Sequence, residues 1–164
     1  MTDGGAPAES GLVVVGIDAS PAGLLALRWA VGEAVLRGYR VEVVHAWESV
    51  PLPGNMFTSA RELRTASEMF VANEIASVSR EVPVAPPITG VSVQGSAAKV
   101  LCERAAGASL LVVGRGRRAA VRDLLPRSVS ASVVRGARCP VLIVPVPEDE
   151  PADEVVDVDN ADNG

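Results

Sequence analysis

The amino-acid sequence predicts an α/β protein built on an open, doubly wound parallel sheet. Short apolar runs of strand length alternate along the chain with longer segments of helical periodicity. Continuous apolar runs are typical of strands buried on both faces, as in parallel sheets. With 164 residues, the chain is long enough for one domain with a core. Because aromatic residues make up only 3%, that core must be built mainly from Val, Leu, Ile and Ala.

The first strand and the first helix have well-marked boundaries. The run from Gly11 to Asp18 reads GLVVVGID and predicts a strand buried on both faces. Ser20 suits the N-cap position and Pro21 the first helical position, so a helix is expected from Pro21 to Arg37. Gly38 follows as the expected C-cap.

The remainder of the chain continues the alternation of strands and helices. In order, we expect a strand over Arg40–Ala46, a long helix from about Thr58 to Arg80, a half-exposed strand over Val91–Gln94 with Ile88 as a candidate extension, a short helix over Ala97–Ala106, a strand over Ser109–Val113, a helix near Ser128–Arg135 and a last strand over Val141–Val144. The long helix is expected to turn inward Leu63, Ala66, Phe70, Val71, Ile75 and Val78. Crossovers between the parallel strands should be right-handed.

The net charge of −5 conceals an uneven distribution. Eight of the 20 acidic residues, and no basic residue, lie between Glu148 and Gly164, so Met1–Pro147 carries 12 acidic against 15 basic residues, about +3. We expect a flexible N-terminus over residues 1–10, a folded domain over 11–147 and an acidic disordered tail over 148–164. Solubilisation and partner binding both remain open as roles for the tail.

Several classes of function are disfavoured. No apolar run approaches the roughly 20 residues of a membrane span, and Met1–Ser10 lacks the features of a signal peptide. Cys102 and Cys139 have neither metal-ligand spacing nor the number expected of a disulfide scaffold. A cytoplasmic location without a membrane partner is therefore expected. A mildly basic body beside an acidic tail, with no DNA-reading motif, argues against a nucleic-acid partner.

The side chains that most often carry catalysis show no catalytic pattern. His45, the only histidine, lies at the end of a strand and is interpreted as a packed or cap-like residue, and Cys102 as buried and inert. Lys99 is the only lysine, so no Walker lysine follows a glycine loop. Trp29 and Trp47 are interpreted as core or interface residues. No catalytic residue and no metal site is expected, and any ATP hydrolysis should be very slow.

Two strand ends are candidates for a binding crevice. In open parallel sheets, ligands bind at the carboxyl ends of the strands where the winding reverses. Asp18 follows the first strand and Gly114 the fourth, so a crevice opens between them if these strands are neighbours. The Asp18 carboxylate suits a hydrogen bond to a sugar or a base amine. Capping of the following helix is an equally good interpretation of Asp18.

The segment after the fourth strand is rich in arginine. It reads GRGRRAAVRDLLPRSVS from Gly114 to Ser130, a composition that suits either phosphate clamping or a solvated basic loop. Five arginines lie in it: Arg115, Arg117, Arg118, Arg122 and Arg127. Gly114, Gly116 and Ala119 also match the dinucleotide fingerprint. No acidic residue ends the next strand, so no nicotinamide or flavin site is expected.

Three stretches together resemble the universal stress protein family. They are the opening VVVGIDASPAGLLALRWAVGEA, the strand VEVVHAW and the ending LLVVGRGRRAAVRDLLPRSVSASVVRGARCPVLIVPV. The resemblance extends over roughly Gly11–Val146 and implies a five-stranded sheet of order 3-2-1-4-5. It also implies a homodimer joined through the last strand, namely Val141, Leu142, Ile143 and Val144. Pairing of two copies would cover an apolar edge strand that is otherwise an association hazard.

Members of this family divide into those that bind ATP and those that do not. The binding pattern is G-x-x-G, nine residues, then G-S or G-T. Here its first glycine and its serine are kept as Gly114 and Ser128, whereas the second and third glycines are Arg117 and Arg127. Other contact positions of the family match Asp18, Ala46, Val113 and Val129. The resemblance therefore implies a nucleotide site formed by Asp18, Ala46, Val113, Gly114, Arg117, Arg127, Ser128 and Val129.

The two arginines have opposing effects that leave two hypotheses open. Their bulk obstructs the close backbone approach that glycine allows, while their guanidinium groups offer new contacts to phosphate. The leading hypothesis is a homodimeric stress-response protein that binds ATP or a related adenine nucleotide, with Mg²⁺ where the ligand carries it. Asp18 would then hold the sugar or base, Gly114 would let phosphate approach, and Ser128 would contact a terminal phosphate. The alternative is the same fold without nucleotide, acting through protein partners.

Overall fold

A computed structural model describes residues 11–49, 59–115 and 128–147. Within these ranges, the elements are β1 (Leu12–Gly16), α1 (Pro21–Arg37), β2 (Arg40–Trp47), α2 (Ala60–Ser79), β3 (Ile88–Gln94), α3 (Ala97–Arg104), β4 (Leu110–Arg115), α4 (Val129–Gly136) and β5 (Val141–Pro145). The strands form one parallel sheet in the order β3-β2-β1-β4-β5. The predicted fold class and strand order are confirmed.

The caps predicted for α1 are confirmed. The Ser20 hydroxyl accepts a hydrogen bond from the Gly23 N–H at 3.2 Å, and Pro21 occupies the first turn, where no intrahelical partner for its nitrogen is needed. At the other end, Gly38 adopts a left-handed conformation with φ of 67°. Its N–H donates to the carbonyl of Ala34, which ends the helix.

The start of α2 differs in detail from the expectation. Ser59 and Glu62 form a capping box, in which the Glu62 carboxylate accepts from the Ser59 N–H at 2.8 Å and the Ser59 hydroxyl accepts from the Glu62 N–H at 3.2 Å. The helix thus begins at Ala60 rather than near Thr58. The inward assignment of Ala66 was wrong: Ala66 is exposed, and the neighbouring Ser67 is buried because it joins a polar network described below.

The sheet separates two apolar cores. Val13 and Val15 of β1 face the core under α1 and α2, while Val14 faces the core under α3 and α4. All three valines are fully buried, as expected of a central strand covered on both faces. The doubly wound arrangement, with helices on both faces of the sheet, is confirmed.

The two outer strands are β3 and β5, so the last strand lies at an edge as predicted. The tryptophans differ in their surroundings. Trp29 on α1 is 56% exposed and is not a core residue, whereas Trp47 is half-buried at the end of β2. In the described part of the chain, every helix is too short or too polar to cross a membrane.

Candidate functional site

A notch interrupts the carboxyl edge of the sheet at its central strand. β1 ends at Gly16, which pairs with Val44 of β2 on one side and Val113 of β4 on the other. β2 continues for three more residues to Trp47, and β4 for two more to Arg115. Because the chain turns from β1 to one side of the sheet and from β4 to the other, this notch is the topological switch point where ligands bind in such folds.

A cleft of about 110 Å³ occupies the notch. It is lined by Gly16, Ile17, Asp18, Gly23, Val44, Ala46, Ala97, Leu101, Val113, Gly114 and Val129. Five predicted site residues are thus brought together: Asp18, Ala46, Val113, Gly114 and Val129. Ser128 precedes Val129 as the N-cap of α4. Arg117 and Arg127 lie outside the described residues.

Asp18 supplies a carboxylate in the lining of the cleft. Its Oδ1 atom accepts a hydrogen bond from the Ser20 N–H at 3.1 Å and a second one from the Ser20 hydroxyl. Ser20, rather than Asp18, therefore caps α1, and Asp18 orients the cap. A Cβ on Gly23 would come within 2.6 Å of the Asp18 Oδ1, so glycine leaves room for the carboxylate. Only Oδ1 is engaged by these contacts, which leaves Oδ2 to accept from a ligand.

Three helices begin at the cleft. Gly23 lies in the first turn of α1, Ala97 is the first residue of α3 and Val129 is the first residue of α4. The N-terminus of a helix carries unpaired N–H groups and a partial positive charge. Their convergence favours a ligand that presents negative charge to this edge of the sheet.

Gly114 also has a packing role, which was not predicted from the sequence. A Cβ at this position would lie 2.3 Å from the carbonyl oxygen of Ala22 and 2.4 Å from its carbonyl carbon. The first turn of α1 thus packs directly on the backbone of β4. Glycine is required here for contact between helix and strand, whether or not phosphate also approaches it.

Ser128 is engaged within its own helix. Its hydroxyl oxygen accepts a hydrogen bond from the Ala131 N–H at 3.2 Å, the usual N-cap contact. The hydroxyl proton is not used by that contact. Ser128 can therefore cap α4 and still donate to an anion at the helix N-terminus.

His45 lies on the opposite face of β2 from Ala46 and belongs to a polar network. Trp47 Nε1–H donates to the Ser92 hydroxyl at 3.0 Å, which donates to the Ser67 hydroxyl at 2.6 Å. Ser67 lies 2.7 Å from His45 Nδ1. Since an indole N–H can only donate, Ser92 accepts from Trp47 and gives its own proton to Ser67. The Ser67 hydroxyl can donate to an unprotonated Nδ1 or accept from Nδ1–H, so the network is compatible with either tautomer of the His45 ring.

The surroundings of His45 favour its neutral form. Burial lowers the pKa of His45, and the nearby Asp18 carboxylate offsets part of this effect. The edge of the ring packs on Phe70 at a centroid distance of 5.0 Å. The interpretation of His45 as a packed residue agrees with these contacts.

The two cysteines lie on the α3 and α4 side of the sheet. Both are half-buried and reduced, and each packs against the core of that face. Burial raises the pKa of each thiol, and the Glu103 carboxylate raises that of Cys102 further. Low thiolate content makes both cysteines poor nucleophiles. Across residues 11–49, 59–115 and 128–147, no group of three or more His, Cys, Asp or Glu side chains is placed to hold a metal ion.

Several lining residues were not identified from the sequence. Gly16 and Gly23 had a usable signal, because each lies within two to five residues of Asp18 at the end of an apolar strand. Ala97 and Leu101 had no sequence signal that pointed to the cleft. Their place in the cleft depends on how α3 packs on β1 and β2, which the order of elements does not reveal.

The chain is similar to known proteins over nearly all of the described residues. Residues 11–145 match the model of the universal stress protein family. A universal stress protein of Mycobacterium tuberculosis is 37% identical over 134 residues, which are 80% of this chain and 44% of the relative. Another from the same organism is 33% identical over 141 residues, 80% of this chain and 46% of the relative. The chain spans less than half the length of these relatives.

Solved structures share the architecture. A universal stress protein in complex with cAMP superposes with a TM-score of 0.64 at 26% identity, covering 84% of this chain and 98% of the other. A universal stress protein from Archaeoglobus fulgidus in complex with dAMP gives 0.61 at 23% identity, covering 84% and 99%. The second likeness is one of fold alone.

Proposed function

Because the chain belongs to the universal stress protein family, we propose that it is a stress-response protein whose cleft binds an adenine nucleotide as a regulatory ligand. The observation that carries this proposal is the convergence of Asp18, Ala46, Val113, Gly114 and Val129 in one cleft at the switch point of the sheet. The cAMP complex of a universal stress protein 26% identical to this chain supports the same ligand class.

The proposed pose follows from the chemistry of the lining. The apolar wall that Ala46 and Val113 contribute suits an adenine ring, and the free Oδ2 of Asp18 suits a ribose hydroxyl. Phosphate then lies towards the first turn of α4, where Ser128 donates its hydroxyl proton. Arg117 and Arg127 are proposed as further phosphate contacts in place of the family's glycines.

ATP with Mg²⁺ is one form of the proposed ligand. Mg²⁺ at nucleotide sites is held mainly by phosphate oxygens and waters, with one or two carboxylates. The lining of the cleft supplies one carboxylate, Asp18. Since that carboxylate is assigned to the ribose, the ion would arrive with the nucleotide and be held by phosphate oxygens and waters.

Calorimetry with the Asp18→Asn variant tests the site. Asparagine keeps an oxygen for the Ser20 cap but removes the charge and weakens the acceptor for a ribose hydroxyl. We expect a loss of affinity for AMP and ATP of about tenfold, the usual effect of one hydrogen bond to a charged group. Glu103→Gln removes the same charge from an exposed part of α3 and should leave affinity unchanged.

Equal affinity of the wild type and Asp18→Asn would remove Asp18 from the site. If AMP, ATP and cAMP all fail to bind to the wild type at millimolar concentration, the nucleotide proposal is wrong. The alternative, the same fold acting through protein partners, would then be adopted.

We also propose that two copies associate through β5. Pro140 directs its carbonyl to β4, where it accepts from the Leu111 N–H at 2.9 Å. Since successive residues of a strand alternate sides, the N–H groups of Val141 and Ile143 point away from β4, at the outer edge of the sheet. An apolar strand with an open edge is a template for pairing with a second copy. A cytoplasmic location is part of the same proposal.

A further inference from the structure

Helix α1 carries an apolar stripe on its surface, formed by Leu25, Trp29 and Leu36. Trp29 is 56% exposed and Leu36 is 83% exposed, while Leu25 is half-buried against the core under α1 and α2. Residues four or seven positions apart lie on the same face of a helix, so the three side chains form one surface. Scattered exposed apolar residues are ordinary, whereas a contiguous apolar surface marks a site of contact.

The α1 stripe lies on the side of the helix that faces β5. Ala22 precedes Trp29 by seven residues on the same helix face, and it packs on the backbone of β4 at Gly114. β5 is the next strand outward from β4. On the other side of α1, the Arg28 guanidinium pairs with the carboxylate of Glu81, just beyond α2, at 2.9 Å. The stripe therefore points away from α2 and towards the open edge of the sheet.

The α1 stripe is continuous with apolar side chains of β5. Leu142 of β5 and Leu25 of α1 both pack against the core under α1 and α2, and both remain half-buried. Glu33 and Arg37 border the stripe and form an ion pair with each other. A partner on this face would thus meet apolar side chains and a pair of charges that already neutralise one another.

Pairing of β5 alone makes a small interface. The strand has five residues, whereas a specific, stable interface between proteins involves about 20 to 30 residues on each side. A dimer joined at β5 therefore needs further buried surface beside that strand. Tryptophan is among the side chains that contribute most at the centre of such interfaces, and Trp29 lies on the flank of α1 next to β5.

The geometry of β5 pairing brings two α1 helices to one face. A two-fold axis between antiparallel β5 strands places α1 of both copies on the same face of the joined sheet. The two β4 strands are then three strand spacings apart, about 14 Å. Since α1 packs on β4, the helices have about the same separation. A helix with its side chains is about 10 to 12 Å across, so large side chains such as Trp29 and Leu36 can close the gap.

We propose that the stripe of Leu25, Trp29 and Leu36 packs against the same stripe of a second copy of this chain when the two β5 strands pair. The inference rests on the association through β5 proposed above. It adds a second contact, made by helices rather than by strands, and it gives the exposed Trp29 a partner.

Tryptophan fluorescence tests whether a second copy covers Trp29. The chain has two tryptophans, so Trp47→Phe leaves Trp29 as the only one. Adding Ile143→Pro gives a monomeric reference, because proline removes an N–H from the edge at which the strands pair. We expect the emission of Trp47→Phe to lie at a shorter wavelength than that of the reference, and to be quenched less by acrylamide.

Sedimentation equilibrium over a dilution series measures what the ring contributes to association. Trp29→Ala should weaken the dimer by about thirtyfold or more, as expected for loss of a central interface side chain. Met69→Ala is the matched control, since Met69 is 61% exposed on α2, which packs on β2 and β3 away from β5. Its dimer should be as stable as that of the wild type. Circular dichroism checks that both variants fold.

The contrary outcomes separate this inference from the proposed pairing of β5. Suppose that the wild type is a dimer and Ile143→Pro a monomer. Equal emission of Trp29 in the two fluorescence chains, or equal dimer stability of Trp29→Ala and Met69→Ala, would then overturn the stripe contact and leave the β5 pairing in place. A wild type that stays monomeric, or a dimer that survives Ile143→Pro, would overturn both.

Discussion

Two glycines in regular elements differ in the space around them: one is crowded by a neighbouring backbone and the other is not. A Cβ added at Gly114 would lie 2.3 Å from the carbonyl oxygen of Ala22. A Cβ added at Gly32 in α1 would have no atom within 4 Å. One glycine is therefore required by packing between α1 and β4. The other only adds backbone freedom to the unfolded chain.

The substitutions Gly114→Ala and Gly32→Ala should therefore change stability in opposite directions. We expect Gly114→Ala to destabilise the protein by about 2 to 3 kcal/mol, because α1 must move away from β4 to admit the methyl group. Gly32→Ala should stabilise it by about 0.5 to 1 kcal/mol, since alanine favours the helix. Urea unfolding followed by circular dichroism measures both. Equal stability of Gly114→Ala and the wild type would show that the contact with Ala22 relaxes easily.

His45 should make stability depend on pH in a narrow range. Burial lowers its pKa in the folded protein, so below about pH 6.5 the unfolded chain takes up a proton that the folded protein resists. Stability is therefore lost as the pH falls through this range, and nothing is lost above it. His45→Asn, which keeps a hydrogen-bonding side chain beside Ser67, should lack this part of the loss.

The two proteins are compared by their unfolding free energies at pH 7.5 and 5.5. We expect the wild type to lose about 0.5 kcal/mol more than His45→Asn, a small effect because the ring is only half-buried and solvent screens part of it. Groups common to both proteins cancel in the difference. A larger loss in the variant would mean that the charged ring is stabilised in the folded protein, by Asp18 for example.

At the scale of elements, the outer edge of β5 is the testable feature. Ile143→Pro removes an N–H that points away from β4, so it should abolish pairing of two copies without breaking the hydrogen bonds between β4 and β5. Ile143→Ala is the matched control, because it shortens the side chain but keeps the N–H. Sedimentation velocity at micromolar concentration should show a monomer for the proline variant and a dimer for the alanine variant. If both variants are dimers, the interface lies elsewhere.

Element boundaries were predictable where local chemistry decides them. Ser20, Pro21 and Gly38 satisfy or terminate the hydrogen bonds of α1 by themselves, and their sequence signals were sufficient. The capping box of Ser59 and Glu62 has the same local origin, and reading it would have placed the start of α2 correctly. The inward position of Ser67 had no local signal, because its partners His45 and Ser92 come from two other elements.

At the scale of the whole molecule, the pattern of apolar runs was enough to predict a doubly wound sheet, but strand order needed the resemblance to a family. Alternation of strands and helices is compatible with several parallel orders. The candidate site was also predictable only in part. Asp18 and Gly114 follow apolar strands, which marks them as strand ends, while Ala97 and Leu101 enter the cleft only through the packing of α3.

The pairing of β1 with β4 has a consequence for the order in which the molecule assembles. Val13 pairs with Leu110, which lies 97 residues further along the chain, whereas β1, β2 and β3 pair in sequence order. A ribosome releases the N-terminal strands first, so one edge of β1 has no strand to pair with until β4 has been synthesised. Asp18 is then in place while the opposite wall of the cleft is still being synthesised. The cleft is therefore completed late, and a ligand that requires both walls stabilises only chains synthesised through β4 and α4.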